Sequence, residues 1–430
     1  MVAVERLVGA YNAWATNGAS KAPAWLKDIR SDAIARFESL GFPNMKQEAW
    51  RFTSVAPIAE GSFKLPKPPA RIPTLEEIRP YLLFEAGYRL VFVDGFFQPS
   101  LSTPFFDDVQ NLAHVVAHRP ELIRQHLGQY AATLDRPFSA LNTAFVSDGA
   151  FVLVPAKATM AEPVQLLFLT SGNQQVVTHP RNLIVLEREA RASVVETYAS
   201  LEQGAYWTNS VTEIVAGDGA RVDFHRVQRE STKAYHVATT QTHQGRDSTV
   251  NVHTVAFGAA LARHDIGAVM AAPAGKLILN GLYLLDDAQH ADHHTTIDHA
   301  DHHCESHEYF NGVLDGKSRG VFTGRIIVRP GAQKTDSKQT NNNLLLSTEA
   351  HADSQPQLEI YADDVKCTHG STVGPLDPRA MFYLQSRGVG AHDARRMLTY
   401  GFAAEILGRM EVASLRAQLD AIVRGRLAGQ

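Results

Sequence analysis

Nineteen histidines stand in this chain of 430 residues, and seven of them crowd together: His290, His293, His294, His299, His302, His303 and His307. Imidazole is the commonest neutral metal ligand, so a tract this rich raises a metal hypothesis. The spacing matches no zinc motif, because the chain has no HExxH and no CxxC. Neighbours on a strand, such as His302 and His303, point to opposite faces, so at most half of the seven can converge. A purely structural or solvated role therefore stands beside the metal reading.

A second constellation is Tyr361-Ala-Asp-Asp-Val-Lys-Cys367-Thr-His369-Gly-Ser-Thr-Val-Gly374. Cys367 and His369 are two apart, which on an extended segment puts both side chains on one face. A thiolate beside an imidazole suits zinc or iron better than magnesium. Two ligands leave a tetrahedral site incomplete, so a partner would have to supply the rest. The alternative is a buried cysteine and a hydrogen-bonded histidine in an ordinary strand. Nucleotide chemistry is disfavoured. Gly312-Val-Leu-Asp-Gly316-Lys317-Ser318 imitates a phosphate loop, yet three residues separate the glycines and strand-like sequence follows where a helix N-terminus is required. No GxGxxG is present, and no Ser-His-Asp arrangement stands out.

The elements that must position these residues fall into three regions: 1–148 mainly helical, 149–372 short strands, and 373–430 helical again. Val4, Leu7, Val8 and Tyr11 repeat at helical spacing, as do Trp25, Ile29, Ala33 and Phe37. A Pro-rich stretch from Leu65 to Ala70 reads as an extended crossing, and Arg89 to Gly95 as a strand ending in a turn. Leu166, Val194, Val222, Val250 and Ile278 recur at a constant interval, with a second column half a period away near Leu183 and Val211. Two strands per rung of about 28 residues suit a flattened parallel β-helix. Evenly spaced strands of a β-sandwich are the alternative. In the tail, Leu398, Phe402, Ile406 and Met410 share one helical face, and Val412, Leu415, Leu419 and Ile422 another.

Composition narrows the function. Lys plus Arg is 41 against 45 for Asp plus Glu, a net charge of -4 that gives no electrostatic case for nucleic acid. No apolar window is long enough for a membrane span. Glu5 and Arg6 interrupt the place of a signal peptide's apolar core. Two cysteines, Cys304 and Cys367, build no disulfide framework, so a reducing cytoplasm is the expected compartment.

Several segments carry a resemblance. Gly41-Phe-Pro43 with Glu48-Ala-Trp50-Arg-Phe-Thr53 resembles the N-terminal signature of the SufB/SufD family of iron–sulfur cluster assembly scaffolds. Asn341–Leu346, Pro356–Gly370 and Met381–Gly388 are similar to the SufD branch of that family. Its Lys-Cys-x-His-Gly segment stands here at 366–370, where the SufB branch carries a His-Glu-Ala run. The resemblance implies a mainly β fold: a right-handed parallel β-helix flanked by N- and C-terminal helical regions. It implies a non-enzymatic scaffold subunit that pairs with a SufB-like partner through the end of the β-helix. The C-terminal helices would dock a SufC-like ATPase, with Phe402 and Ile406 among the expected contacts. A nascent iron–sulfur cluster would form at the shared interface, fed by a cysteine desulfurase system, with none firmly bound to the isolated chain, which could itself form a homodimer. By motif match His369 is the interfacial ligand, with Cys367 beside it. His299 and Cys304-Glu-Ser306 match a further His-to-Cys-x-Ser stretch, while the resemblance assigns nothing to His302, His303 and His307. The competing functions are a solenoid metalloenzyme built on the His-rich segment and a polysaccharide-acting β-helix enzyme, which would need a groove lined by carboxylates.

Overall fold

The computed structural model describes residues 2–17, 22–83, 87–103, 108–131, 135–172 and 174–428. Two ten-stranded sheets face each other, and from Arg191 onward successive strands alternate between them. Arg191–Ser200 lies in the first sheet, Trp207–Ala216 in the second, and Arg221–Arg229 returns to the first. Each strand pairs in parallel with its counterpart one turn later, which makes a parallel β-solenoid. The sheets begin before residue 149, because Tyr88–Val93 pairs with Val164–Thr170 and Val109–Asn111 joins Ala150–Val154.

One edge of the solenoid shows how the turns stack. Glu189, Gly219, Asp247, Ala274, His303 and Lys334 each adopt positive φ, from 54° to 67°. Each donates its backbone N–H to a carbonyl of the following turn: Gly219 to Arg246 at 2.7 Å, Ala274 to His302 at 3.1 Å, His303 to Gln333 at 2.9 Å and Lys334 to Asp364 at 2.7 Å. The left-handed conformation aims these amides along the axis, so turns as well as strands form a hydrogen-bonded ladder.

The interior is apolar over most of its length. Leu166, Val194, Val222 and Val250 are all buried in one cluster. Val222 and Val250 pair directly, but Val194 lies opposite Phe224 and Leu166 opposite Glu196. Ile278 departs from the expected column. Val250 pairs with Leu277, and Ile278 sits half-buried on the outer face. The register advances unevenly from rung to rung because the turns differ in length, so a fixed interval drifts out of step with the pairing. A shift of one residue turns a side chain to the other face.

Helices cover the outer face of each sheet. Val2–Asn17, Ala24–Leu40 and Pro137–Ala144 pack Leu7, Tyr11, Phe37 and Phe138 against Trp207, Val237 and Leu261 of the second sheet. Ala391–Leu407 and Ala413–Ala428 pack Ile406, Leu415, Leu419 and Val423 against Val195, Val227, Val255, Leu282 and Val313 of the first. Ile406 is therefore 0% exposed, and Phe402 is partly buried with its carbonyl accepting from Asn311 Nδ2 at 2.9 Å. This corrects the expectation that Ile406 meets a partner: the apolar face is occupied by the chain's own sheet. Helix Pro378–Ser386 has no buried residue, and its Phe382 and Tyr383 are 72% and 59% exposed.

The two environments differ in their tolerance of charge. Val222→Asp should destabilise the chain by roughly 4 kcal/mol or more, because a carboxylate would enter a dry stack. Ile278→Asp should cost about 1 kcal/mol or less. Urea unfolding of both variants measures the contrast, and equal losses would contradict this assignment of faces.

Candidate functional site

The solenoid ends on strands His351–Ile360 and Lys366–Gly374, the last of the second and first sheets. No residue of either strand is fully buried. Lys366–Gly374 pairs in register with Asp336–Leu345, setting Cys367 opposite Ser337, His369 opposite Gln339 and Ser371 opposite Asn341. Ser337, Gln339 and Asn341 are buried inward-facing residues, alternating with exposed Lys338 and half-buried Thr340. Parallel register preserves face, so Cys367 and His369 continue the interior columns on the terminal rung.

Below each of them a file of polar side chains runs into the solenoid. Under His369, Gln339 Nε2 donates to Glu308 Oε2 at 2.6 Å. Under Cys367, Ser337 Oγ meets Ser306 Oγ at 2.8 Å, and Ser306 Oγ meets His299 Nε2 at 2.8 Å. Burial pushes Glu308 up to about 7 against the bond from Gln339. The half-buried Cys367 packs against the interior cluster, and its thiol is raised, first by burial and then by the charge of Asp336. The protonated thiol is thus favoured, and any metal binding there must displace a proton.

The remaining candidates stand elsewhere. Cys304 is fully buried, with its thiol directed to the carbonyls of Ala272 at 3.5 Å and His302 at 3.6 Å, and burial raises it too. His299 is also buried, but its bond goes to Ser306. The seven clustered histidines disperse. His293 lies inside, stacked on Tyr283 with ring centroids 5.1 Å apart. His290 is outside, its Nε2 2.9 Å from Thr53 Oγ1, and His294 Nε2 lies 3.4 Å from Asp292 Oδ1. His302 bonds Asp301, His303 takes its place in the turn ladder, and His307 Nε2 stands 3.8 Å from Asp336. Among the described residues no group of three His, Cys, Asp or Glu side chains could hold a metal ion. Sequence reasoning missed Gln339 and Glu308. The alternation of buried and exposed positions in their strands is a signal, but pairing across a whole turn of the solenoid had to be known to place them under His369.

Comparison with known proteins gives the family of this parallel β-solenoid. The description "SUF system FeS cluster assembly, SufBD core domain" matches residues 168–402, and "SufBD protein N-terminal region" matches residues 1–166. The chain belongs to the SufBD family. It is 34% identical to an iron–sulfur cluster assembly SufBD family protein of Synechocystis, over 93% of this chain and 91% of that one. It is 31% identical to the iron–sulfur cluster assembly protein SufD of Escherichia coli, over 90% of each chain. Against SufD of Bacillus subtilis the identity is 26% over 94% of each. No described helix is long and apolar enough to cross a membrane.

The buried histidines should be visible in the acid behaviour. Burial lowers His293 and His299 to about 4, and His179 and His253 to about 3. Their folded values lie below the unfolded value of about 6.5, so the unfolded chain takes up protons first. Their contribution to stability is full above pH 6.5 and is lost as pH falls toward 4. Glu308 and Asp148, raised to about 7 and about 6, run the opposite way over part of that window. His299→Gln isolates one histidine: its stability should fall less steeply between pH 6.5 and 4, by up to about 1.4 kcal/mol per pH unit. Parallel slopes for the wild type and the variant in urea titrations would show that His299 does not titrate in this way.

Proposed function

We propose that this chain is a non-enzymatic scaffold subunit in iron–sulfur cluster assembly, joining a SufB-like partner at the open end of its solenoid. Iron and sulfide are the cargo, and the nascent cluster is held between the two subunits. One observation carries the reading: the inward-facing columns of the solenoid end uncapped, with Cys367 and His369 on the last rung. Clusters are held by thiolates, with imidazole as a replacement. The two side chains are an incomplete ligand set, and a second subunit abutting the rung would complete it. An incomplete set also suits a scaffold that must release its product. Family membership and the SufD relatives support the setting. The cysteines, neither in a disulfide, agree with a reducing cytoplasm.

The ATPase partner is assigned to the C-terminal helices, but through their exposed side. Phe382, Tyr383 and Met397 are 72%, 59% and 54% exposed there. An apolar group of this kind is a docking surface in a chain whose other helical apolar face is already covered. An ATP-driven movement of the ATPase subunits would then shift the two scaffold chains as rigid bodies and open the site.

His369→Ala should lower the iron and sulfide content of the reconstituted complex at least several-fold and leave its melting temperature within about 2 °C, since the side chain is exposed. Cys367→Ala should do less to the content. Full cluster content in the His369→Ala complex would remove His369 from the ligand set. Separately, the double change Phe382→Ser and Tyr383→Ser should weaken capture of a SufC-like ATPase at least tenfold without altering unfolding. Undiminished capture would move the docking surface elsewhere.

A further inference from the structure

An imidazole that binds metal through one nitrogen gives the N–H of the other to an acceptor, which fixes its tautomer and its orientation. Resting on the reading of His369 as a ligand, we infer that Gln339 and Glu308 are its positioning residues. With the ring turned toward the rung below, the unmet Gln339 amide oxygen would accept the inward N–H of His369, and Glu308 sets which way that amide points.

The observations run along one column. Gln339 and His369 are register partners on adjacent strands, on one face, at a rung spacing of about 4.8 Å. Gln339 is 1% exposed, and its Nε2 donates to Glu308 Oε2 at 2.6 Å. A carboxylate only accepts, so it holds the amide NH2 and turns the amide oxygen away from itself. That oxygen, Gln339 Oε1, is buried and meets no hydrogen-bond partner among the described residues. A buried acceptor left unmet costs free energy, and the rung above offers an imidazole. The neighbouring amide does not compete. Asn341 Nδ2 donates to Tyr283 Oη at 3.2 Å and to the Phe310 carbonyl at 3.4 Å, and Asn341 Oδ1 accepts from Asn343 Nδ2 at 2.8 Å. The facing strand leaves room for the arrangement. A Cβ on Gly324 would come within 2.1 Å of Gln339 Nε2, so any side chain there would push the amide out of place.

The full-length chain, labelled with 15N in its histidines, tests this at pH 8.5, where Glu308 is a carboxylate. Long-range 15N–1H correlation spectra report the tautomer ratio of each ring. His369 should strongly favour one tautomer in the wild type. Gln339→Met should move that ratio about fivefold toward an even mixture, the equivalent of about 1 kcal/mol for one neutral hydrogen bond. Glu308→Gln, whose amide can meet Gln339 from either end, should move it the same way by less, and Ser337→Ala in the adjacent file should leave it unchanged. In the complex reconstituted with a SufB-like subunit, Gln339→Met should assemble normally but lose iron to a chelator at least tenfold faster. An identical tautomer ratio in the wild type, Gln339→Met and Glu308→Gln overturns the proposal. The two failures are separable: full iron and sulfide in the His369→Ala complex would overturn the ligand reading, whereas the tautomer shift in the free chain depends only on Gln339.

Discussion

Everything in this molecule depends on parallel strands stacking in register. Each rung satisfies its backbone groups only by pairing with the rungs above and below, so the ladder must continue or end on exposed amides and carbonyls. The same pairing fixes which side chains share a column. Val222 stands on Val250, Ser306 under Ser337, and Gln339 under His369 because their backbones are partners. The candidate site is therefore positioned by the solenoid's main chain and not by a loop.

Register also explains the treatment of polar groups inside. Glu196 is fully buried between Thr212, whose Oγ1 donates at 2.7 Å, and Arg226, whose Nε lies 3.5 Å away. His236 Nδ1 lies 2.5 Å from Glu230 Oε2. Each of these charges meets an opposite charge or a donor on its own rung or the next, as burial requires. Toward the terminal rung, Glu308 has Gln339 as its partner and no cation among the described residues is paired with it, so burial raises its affinity for a proton. The interior thus changes from charge-compensated pairs to neutral donors and acceptors as it approaches the open end.

Much of this is legible in the sequence. The regular recurrence from Leu166 to Val250 marks a solenoid, and the Cys367-x-His369 spacing places both side chains on one face of a strand. A constant interval fails at Ile278 because turn length varies, and a one-residue change there reverses the face. Ile406 departs from expectation for a different reason. An apolar helical face signals burial, but the pattern is the same whether the covering surface belongs to a partner or to the chain's own first sheet. The seven histidines give a strong compositional signal with no common destination: strand alternation sends His293 inward and His294 outward, and a left-handed turn takes His303. Glu308 and Gln339 carry no local signal, since their meaning lies in a pairing between successive rungs.

The C-terminal helices lie across the first sheet, not alongside one strand of it. Their apolar residues share a cluster with Val195, Val227, Val255, Leu282, Val313 and Leu344, which belong to six neighbouring strands. A load on these two helices is consequently shared among six strands. A helix fixed to the terminal strand alone would peel that strand from its neighbour one hydrogen bond at a time. A load on Ala391–Leu407 and Ala413–Ala428 therefore enters the solenoid through the body of the first sheet, whereas one on Pro378–Ser386 reaches, three residues away, the strand that carries Cys367 and His369.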